Sequence, residues 1–179
     1  MTDNQLIAQF LIEKDNHAFE ALVKKHQSNI RNFLRRLNAG NIHEADDAAQ
    51  ETFLIVFQKL HTFKGKSKFS TWLHQIAYRC FLKQLDKQNN KLIDFDGDHP
   101  AISSLMNSND LAETDVLVAQ LMKHLSVNER LIITLSYSTG MSQSEIVEVT
   151  QMPLGTVKSH MNRGKQKLMK LLPKSAAVA

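Results

Sequence analysis

Basic side chains on one helical stretch near the C-terminus carry the clearest chemistry of this chain. Between Pro153 and Lys174 there is no acid. Lys158, His160, Arg163, Lys165, Lys167 and Lys170 fill the faces left by an apolar row of Val157, Met161, Leu168, Leu171 and Leu172. An apolar stripe for docking with a cationic remainder suits a helix lying in the major groove of DNA. Alone, the pattern also describes a solvated amphipathic helix. The preceding residues favour the first reading. Ser142 stands three residues before Glu145, the spacing of a capping box, and Ile146 and Val149 are spaced to face inward. Gln151-Met152-Pro153-Leu154-Gly155 then breaks the chain, because Pro153 removes a backbone donor. A short capped helix, a turn and a basic helix make a helix-turn-helix.

A second cationic stretch lies upstream. Lys64, Lys66 and Lys68 alternate with small residues and are flanked by Phe63, Phe69 and Trp72. Cations for phosphates beside aromatic faces for unstacked bases suit single-stranded nucleic acid, the alternative being a solvated loop whose aromatics are core. Arg79, Lys83 and Lys87 follow at four-residue intervals, a row suited to a phosphate backbone. An acidic stretch precedes both. Glu44, Asp46, Asp47 and Glu51 crowd a segment with no Lys or Arg from Ile42 to Gln58, beside the apolar run Phe53 to Phe57. Acids in a first turn favour the helix dipole, but an acidic and apolar surface repels phosphate and suits a protein partner. Without a phosphate-cradling loop the carboxylates do not indicate a metal.

Composition narrows the class. With 179 residues, 42% hydrophobic, 22% charged and a net charge of +4, the chain has an ordinary globular composition. Cys80 stands alone, which excludes an internal disulfide and a cysteine zinc site. No apolar run approaches a membrane span and Met-Thr-Asp-Asn does not begin a signal peptide, so the expectation is a cytoplasmic protein with no membrane insertion. The histidines are scattered and no nucleophile–base pair is visible, so no enzyme, cofactor or metal is expected.

The elements that must position these groups are helical. Prolines occur only at 100, 153 and 173, outside the long apolar patterns, and the period is near 3.6 almost throughout. The expected fold is all-α. A short helix over Asn4 to Lys14 precedes a longer one capped by Asp15 or Asn16, with Phe19, Leu22, Val23, His26, Ile30, Phe33, Leu34 and Leu37 on its core face. Gly40 fits its left-handed end. The acidic helix spans Ile42 to Leu60, and a fourth spans Ser70 to Lys87 with Leu73, Ile76, Ala77, Cys80, Phe81 and Leu85 inward. The polar, acidic stretch 89–112 reads as a flexible linker between a domain over 1–88 and one over 113–179. In the latter, Val116, Leu117, Leu121, Leu125, Leu131, Ile132 and Leu135 supply the core under the helix-turn-helix.

The motifs and their order resemble a known family. Glu44-Ala45-Asp46-Asp47-Ala48-Ala49-Gln50-Glu51-Thr52-Phe53, then Phe63-Lys64-Gly65 and Phe69-Ser70-Thr71-Trp72-Leu73-His74-Gln75-Ile76-Ala77, resemble region 2 of the sigma-70 family. Leu125-Ser126-Val127-Asn128-Glu129-Arg130, Gly140-Met141-Ser142, Glu145-Ile146 and Pro153-Leu154-Gly155-Thr156-Val157-Lys158-Ser159 resemble region 4. Only these regions and a short linker are present, as in the extracytoplasmic function (ECF) subgroup.

The resemblance implies a transcription initiation factor acting with core RNA polymerase on promoter DNA. It implies that Asp47, Gln50, Glu51 and Phe53 meet the clamp helices of the largest polymerase subunit, with the flap as a further contact of the chain. It implies a −10 element surface of Phe63, Lys64, Lys66, Lys68, Phe69, Thr71, Trp72, Arg79 and Lys83, where a flipped base is captured. For the −35 element it implies Ser142, Thr156, Lys158, Ser159, His160, Arg163 and Lys167. Inhibitory anti-sigma factors, which can hold such proteins at the membrane, are common in the subgroup, although no site for one is legible. Some residues depart from the family pattern. Arg79, Lys83 and Asp86 stand where Asn, Asp and Arg are common, Ala48-Ala49 replace bulkier residues, His160 replaces Arg, Gln151 replaces Gly and Gly164 replaces Ala.

Overall fold

The computed structural model describes residues 1–93 and 113–171. Among the described residues there are eight α-helices and no strand. Helix α1 (Asp3–Glu13) starts at a reciprocal cap: the Gln5 N–H donates to Thr2 Oγ1 at 3.3 Å and the Thr2 N–H to Gln5 Oε1 at 2.8 Å. Asp15 caps α2 (Asn16–Leu37), its carboxylate accepting from the His17 N–H at 2.9 Å. The expected core face of α2 is buried from Leu22 to Leu37, with Phe19 and Val23 half-buried. Ala39 and Gly40, at φ 51° and 91°, turn the chain into α3 (Ile42–Lys59), which Asn41 caps.

The α3 packing inverts what hydropathy suggests. Its buried row is Ala45, Ala48, Ala49, Thr52 and Val56, small enough to bring the helix close against α2 and α4. The Ala48-Ala49 pair, which stands where the family commonly has bulkier residues, is sealed inside this core. The Thr52 hydroxyl donates back to the Ala48 carbonyl at 2.7 Å, so its polar group is satisfied within the helix. A 3₁₀ turn (Leu60–Thr62) and a loop pivoting at Gly65, φ 67°, lead to α4 (Phe69–Ile93). Helix α4 runs past the expected end at Lys87 and takes residues 89–93 from the stretch read as linker; the rest of that stretch, to 112, lies outside the described residues.

In the second half, α5 (Glu113–Lys123) and α6 (Val127–Ile133) precede a π-helical stretch, Thr134–Ser138, in which the Thr139 N–H reaches the Thr134 carbonyl at 3.2 Å. Then come α7 (Gln143–Thr150) and α8 (Leu154–Leu171). Leu125, Leu131, Ile132 and Leu135 are buried as expected, joined by Ala119, Met122 and Ile133. Two apolar expectations fail: Leu117 is 52% exposed and Leu171 is 42% exposed, so the α8 apolar row ends at Leu168. Leu172 lies outside the described residues.

The two helical halves are packed on each other. Buried Leu131, Ile132, Leu135, Ile146, Val149 and Val157 belong to the same apolar cluster as the cores of α2, α3 and α4. Arg130 donates to the Leu37 carbonyl at the end of α2, and Arg36 to the Ser138 hydroxyl. Within the second half, α8 approaches α6 closely at Gly164. A Cβ there would sit 2.9 Å from Ile133 Cγ1 and 3.5 Å from Glu129 Cβ. Close approach, rather than helix propensity, accounts for this glycine.

The Gly164→Ala variant therefore tests the α6–α8 contact. Alanine gains about 1 kcal/mol of helix propensity but overpacks a sealed seam, which costs ~1–3 kcal/mol. A denaturant melt should show a lower midpoint; a variant more stable than its parent would contradict the close contact.

Candidate nucleic-acid interface

Helix α8 presents its basic residues as the spacing requires. Val157 is buried, Met161 and Leu168 are half-buried, and Lys158, Ser159, Asn162, Arg163, Lys165 and Gln166 are exposed. Thr156 and His160 are half-buried, and the His160 ring lies 3.4 Å from the Arg163 guanidinium. Asn162, not singled out by the sequence, offers the amide type that pairs bidentately with adenine. Its signal was available: it sits one turn after Lys158 on the docking helix. Lys167 is engaged elsewhere, donating at 2.7 Å to Glu129, which is 3% exposed. Burial pushes the Glu129 carboxyl up, but the Lys167 ammonium and the Ser126 cap outweigh it and leave its pKa below the usual value. Lys167 thus fastens α8 to α6.

Ser142 is also occupied. Its hydroxyl accepts from the Glu145 N–H at 3.3 Å and donates to Glu145 Oε2 at 2.8 Å, and its own N–H donates to the same oxygen at 2.9 Å. The expected capping box is present. The turn residue Gln151 takes φ 59°, the left-handed conformation for which glycine is favoured.

The upstream loop divides into a buried part and an open part. Phe69 is 4% exposed and Thr71 1% exposed, so both sit inside rather than on the surface. Phe63 and Trp72 are half-buried and close a three-ring cluster over Phe69, with centroids 5.4–5.8 Å apart. His74 is buried with its ring 5.0 Å from that of Phe33 and its Nδ1 2.7 Å from the Ser70 carbonyl oxygen, and burial lowers its pKa, which favours the neutral ring. Lys64, Lys66 and Lys68 are exposed around this cluster, and so is Arg79. Lys68 reaches Glu145 at 2.9 Å, whereas Lys64, Lys66 and Arg79 make no ion pair among the described residues.

Lys83, read with the basic row, pairs instead with Glu51 at 2.6 Å. Two residues assigned by the sequence to different partners thereby join α3 to α4. The unusual lysine at 83 supplies the counter-charge for Glu51.

On α3, Asp47 and Gln50 are exposed and Phe53 is half-buried against the core. Leu54, 65% exposed, and Phe57, 47% exposed, lie on the same face as Asp47 and Gln50, at steps of three, four and three. The rings of Phe10 and Phe19 support Phe57 at 5.4 and 5.0 Å. The sequence flagged the apolar run without showing which members point outward. The face is apolar at one end and acidic at the other.

Comparison with known proteins identifies the family. Residues 22–91 match the family model for Sigma-70 region 2 and residues 115–168 that for Sigma-70 region 4. The chain is 31% identical to the RNA polymerase sigma-H factor of Pseudomonas aeruginosa, over 95% of this chain and 93% of that protein. It is 28% identical to the ECF RNA polymerase sigma-E factor of Haemophilus influenzae, covering 90% and 93% of the two chains. It is 29% identical to SigW of Bacillus subtilis, covering 88% and 90%.

The chain belongs to the sigma-70 family, in its ECF group.

Two solved structures share the fold. Bartonella quintana RpoE, solved with the anti-sigma factor NepR, gives a TM-score of 0.70 at 24% identity, covering 86% of this chain and 95% of that one. CnrH, solved with the cytosolic domain of CnrY, gives 0.70 at 23% identity, covering 98% and 99%. This sigma factor is a transcription initiation factor that takes RNA polymerase to promoters. No helix of its described residues is long and apolar enough to cross a membrane.

The Glu145 carboxyl is held at about 2 by the Lys68 ammonium and the two Ser142 donors. A depressed folded pKa contributes stability that is present above the ordinary 4.5 and lost as pH falls through about 2. The stability difference between the parent and Glu145→Gln should therefore be constant from pH 8 to about 5 and shrink towards pH 2 in thermal melts. A difference that changes near neutrality would contradict this pairing.

Proposed function

We propose that this sigma factor holds polymerase through the Asp47–Gln50–Leu54–Phe57 face of α3, docked on the clamp helices of the largest subunit. The observation that carries the reading is the exposure of two large apolar side chains beside two polar ones on a helix whose own core row is alanine. Exposed apolar anchors rimmed by polar groups are the usual make-up of a protein-binding patch. Glu51 and Phe53 contribute from the flank, Glu51 through its ion pair with Lys83 and Phe53 by supporting the helix from below.

Residues 1–88 then act as the region 2 unit and residues 113–179 as the region 4 unit. Trp72 and Phe63 form the stacking surface for an unpaired −10 base, with Lys64, Lys66, Lys68 and Arg79 on the phosphates. Phe69 and Thr71 shape this surface from beneath. Thr156, Lys158, Ser159, His160, Asn162 and Arg163 read the −35 element in the major groove, and Ser142 caps the helix that abuts the backbone. The chain does no chemistry of its own and works in the cytoplasm. The anti-sigma factor NepR bound to RpoE supports an inhibitor of that class as a partner here.

Replacing Gln50 and Leu54 together by Ala should weaken core polymerase binding by about tenfold or more and leave the melting temperature unchanged, since both side chains are exposed. Undiminished co-purification would move the polymerase site off this face. Lys158→Ala should weaken binding to duplex promoter fragments evenly across sequences and reduce the salt slope by about one. An unchanged slope would place that lysine away from the phosphates.

A further inference from the structure

Helix α1 ends at Lys14 in the left-handed conformation, φ 57°, and Asp15 at once caps α2, so the chain folds back on itself. The contacts between the two helices are antiparallel. The Asp3 carboxylate lies 2.7 Å from Lys25 Nζ and 3.1 Å from His26 Nε2. About two turns further along α1, and two turns back along α2, the rings of Phe10 and Phe19 meet at 5.4 Å. Leu6 and Ile7 are buried between these contacts, and the Thr2–Gln5 capping box closes the free end. A terminal helix held in this way does not fray. The residues that match the region 2 model begin at 22, so α1 and Phe19 lie outside it.

The aromatic contact does not finish in the core. Phe10 and Phe19 are half-buried, and the third ring they meet, Phe57, is exposed on the α3 face beside Leu54. The three centroid separations are all within 5.0–5.4 Å, with Phe57 at 78° to Phe19 and 57° to Phe10. At such angles the positive edge of one ring meets the negative face of another. Helix α1 also touches the 3₁₀ turn Leu60–Thr62 that follows α3. The end of α3 that carries Phe57 is therefore braced by the first helix of the chain.

We infer that Phe10 is a positioning residue for polymerase docking: its ring fixes the direction in which Phe57 is presented, and α1 is the mount that holds it there. The inference rests on the docking face proposed above. An exposed ring near a helix end can occupy more than one χ1 rotamer, and selecting one at the moment of binding lowers affinity. The packed rings make that selection before polymerase arrives. Phe10, Phe19 and Phe57 form a triangle, so loss of the Phe10 ring removes one of the two rings that Phe57 rests on. The Asp3 contacts serve the same end. They set the register of α1 on α2, and that register brings Phe10 beside Phe57 rather than a turn away from it. Phe10 acts through Phe57 and need not touch polymerase itself.

The test uses the full chain with two substitutions at one position. Phe10→Leu keeps the apolar bulk under α1 and removes the ring, whereas Phe10→Tyr keeps the ring. In the free chain, three-bond NMR couplings to the Phe57 Cγ should report a single χ1 rotamer in the parent and in Phe10→Tyr, and an average of rotamers in Phe10→Leu. Core polymerase should bind Phe10→Leu about two- to tenfold more weakly than the parent, the worth of one aromatic pair, and bind Phe10→Tyr as it binds the parent. In a Phe57→Ala background, Phe10→Leu should weaken binding no further, because the ring it positions is gone. An averaged Phe57 in the parent, couplings unchanged by Phe10→Leu, or a loss of affinity that adds in full to that of Phe57→Ala would each overturn the inference. Undiminished polymerase binding by Phe57→Ala alone would instead refute the docking face proposed above, while the couplings still decide whether Phe10 sets the ring.

Discussion

The guanidinium of Arg130 is the constraint on which the relation between the two halves depends. Its Nε donates to the Met122 carbonyl at 3.1 Å and one terminal nitrogen to that of Leu125 at 3.3 Å, while the other reaches the Leu37 carbonyl. Helix ends leave such carbonyls without partners, and a fork-shaped cation is suited to collecting several at once. Leu37 is the last residue of α2, and Met122 and Leu125 bracket the end of α5. One side chain therefore fixes the start of α6 against the ends of two helices, one from each half. From there Leu131, Ile132 and Leu135 enter the shared core, and the chain emerges from the π-helical stretch in position to lay α7 on α4.

Ion pairs then sort the basic residues by task. Lys83 is held by Glu51, Lys167 by Glu129 and Lys68 by Glu145. The first pair joins α3 to α4, the second joins α6 to α8, and the third bridges the halves. Lys64, Lys66, Arg79 and Lys158 have no such partner among the described residues, which leaves them available to phosphate. A count of cations along the sequence treats all of these alike. Their division into fasteners and free charges is a property of the packed structure.

Much of the fold was legible because its signals are local. The Ser142–Glu145 cap, the break at Pro153 and the core face of α2 each follow from the spacing of neighbouring residues, and each is found where that spacing puts it. The outward face of α3 was legible only in part. Its acidic and apolar composition suited a protein partner, but which apolar side chains point outward was set by packing: the row led by alanines lies against α2 and α4 and leaves Leu54 and Phe57 outside. Leu117 and Leu171 were misread for a related reason: periodicity marks an apolar side chain without saying whether a neighbour reaches it. The candidate site was legible in its basic and aromatic residues and not in their burial, so Phe69 and Thr71 were assigned to a surface they support from below. The contacts between halves connect residues 73 to 102 positions apart, for which no sequence period exists.

The central claim is that one chain both recruits polymerase and selects the promoter. Run-off transcription with core polymerase and genomic fragments measures the two together. The account predicts discrete transcripts that appear only when this protein is added, and that vanish when Lys158 and Arg163 are both replaced by Ala. Transcription no greater than that of core polymerase alone, or transcripts indifferent to those two residues, would contradict it.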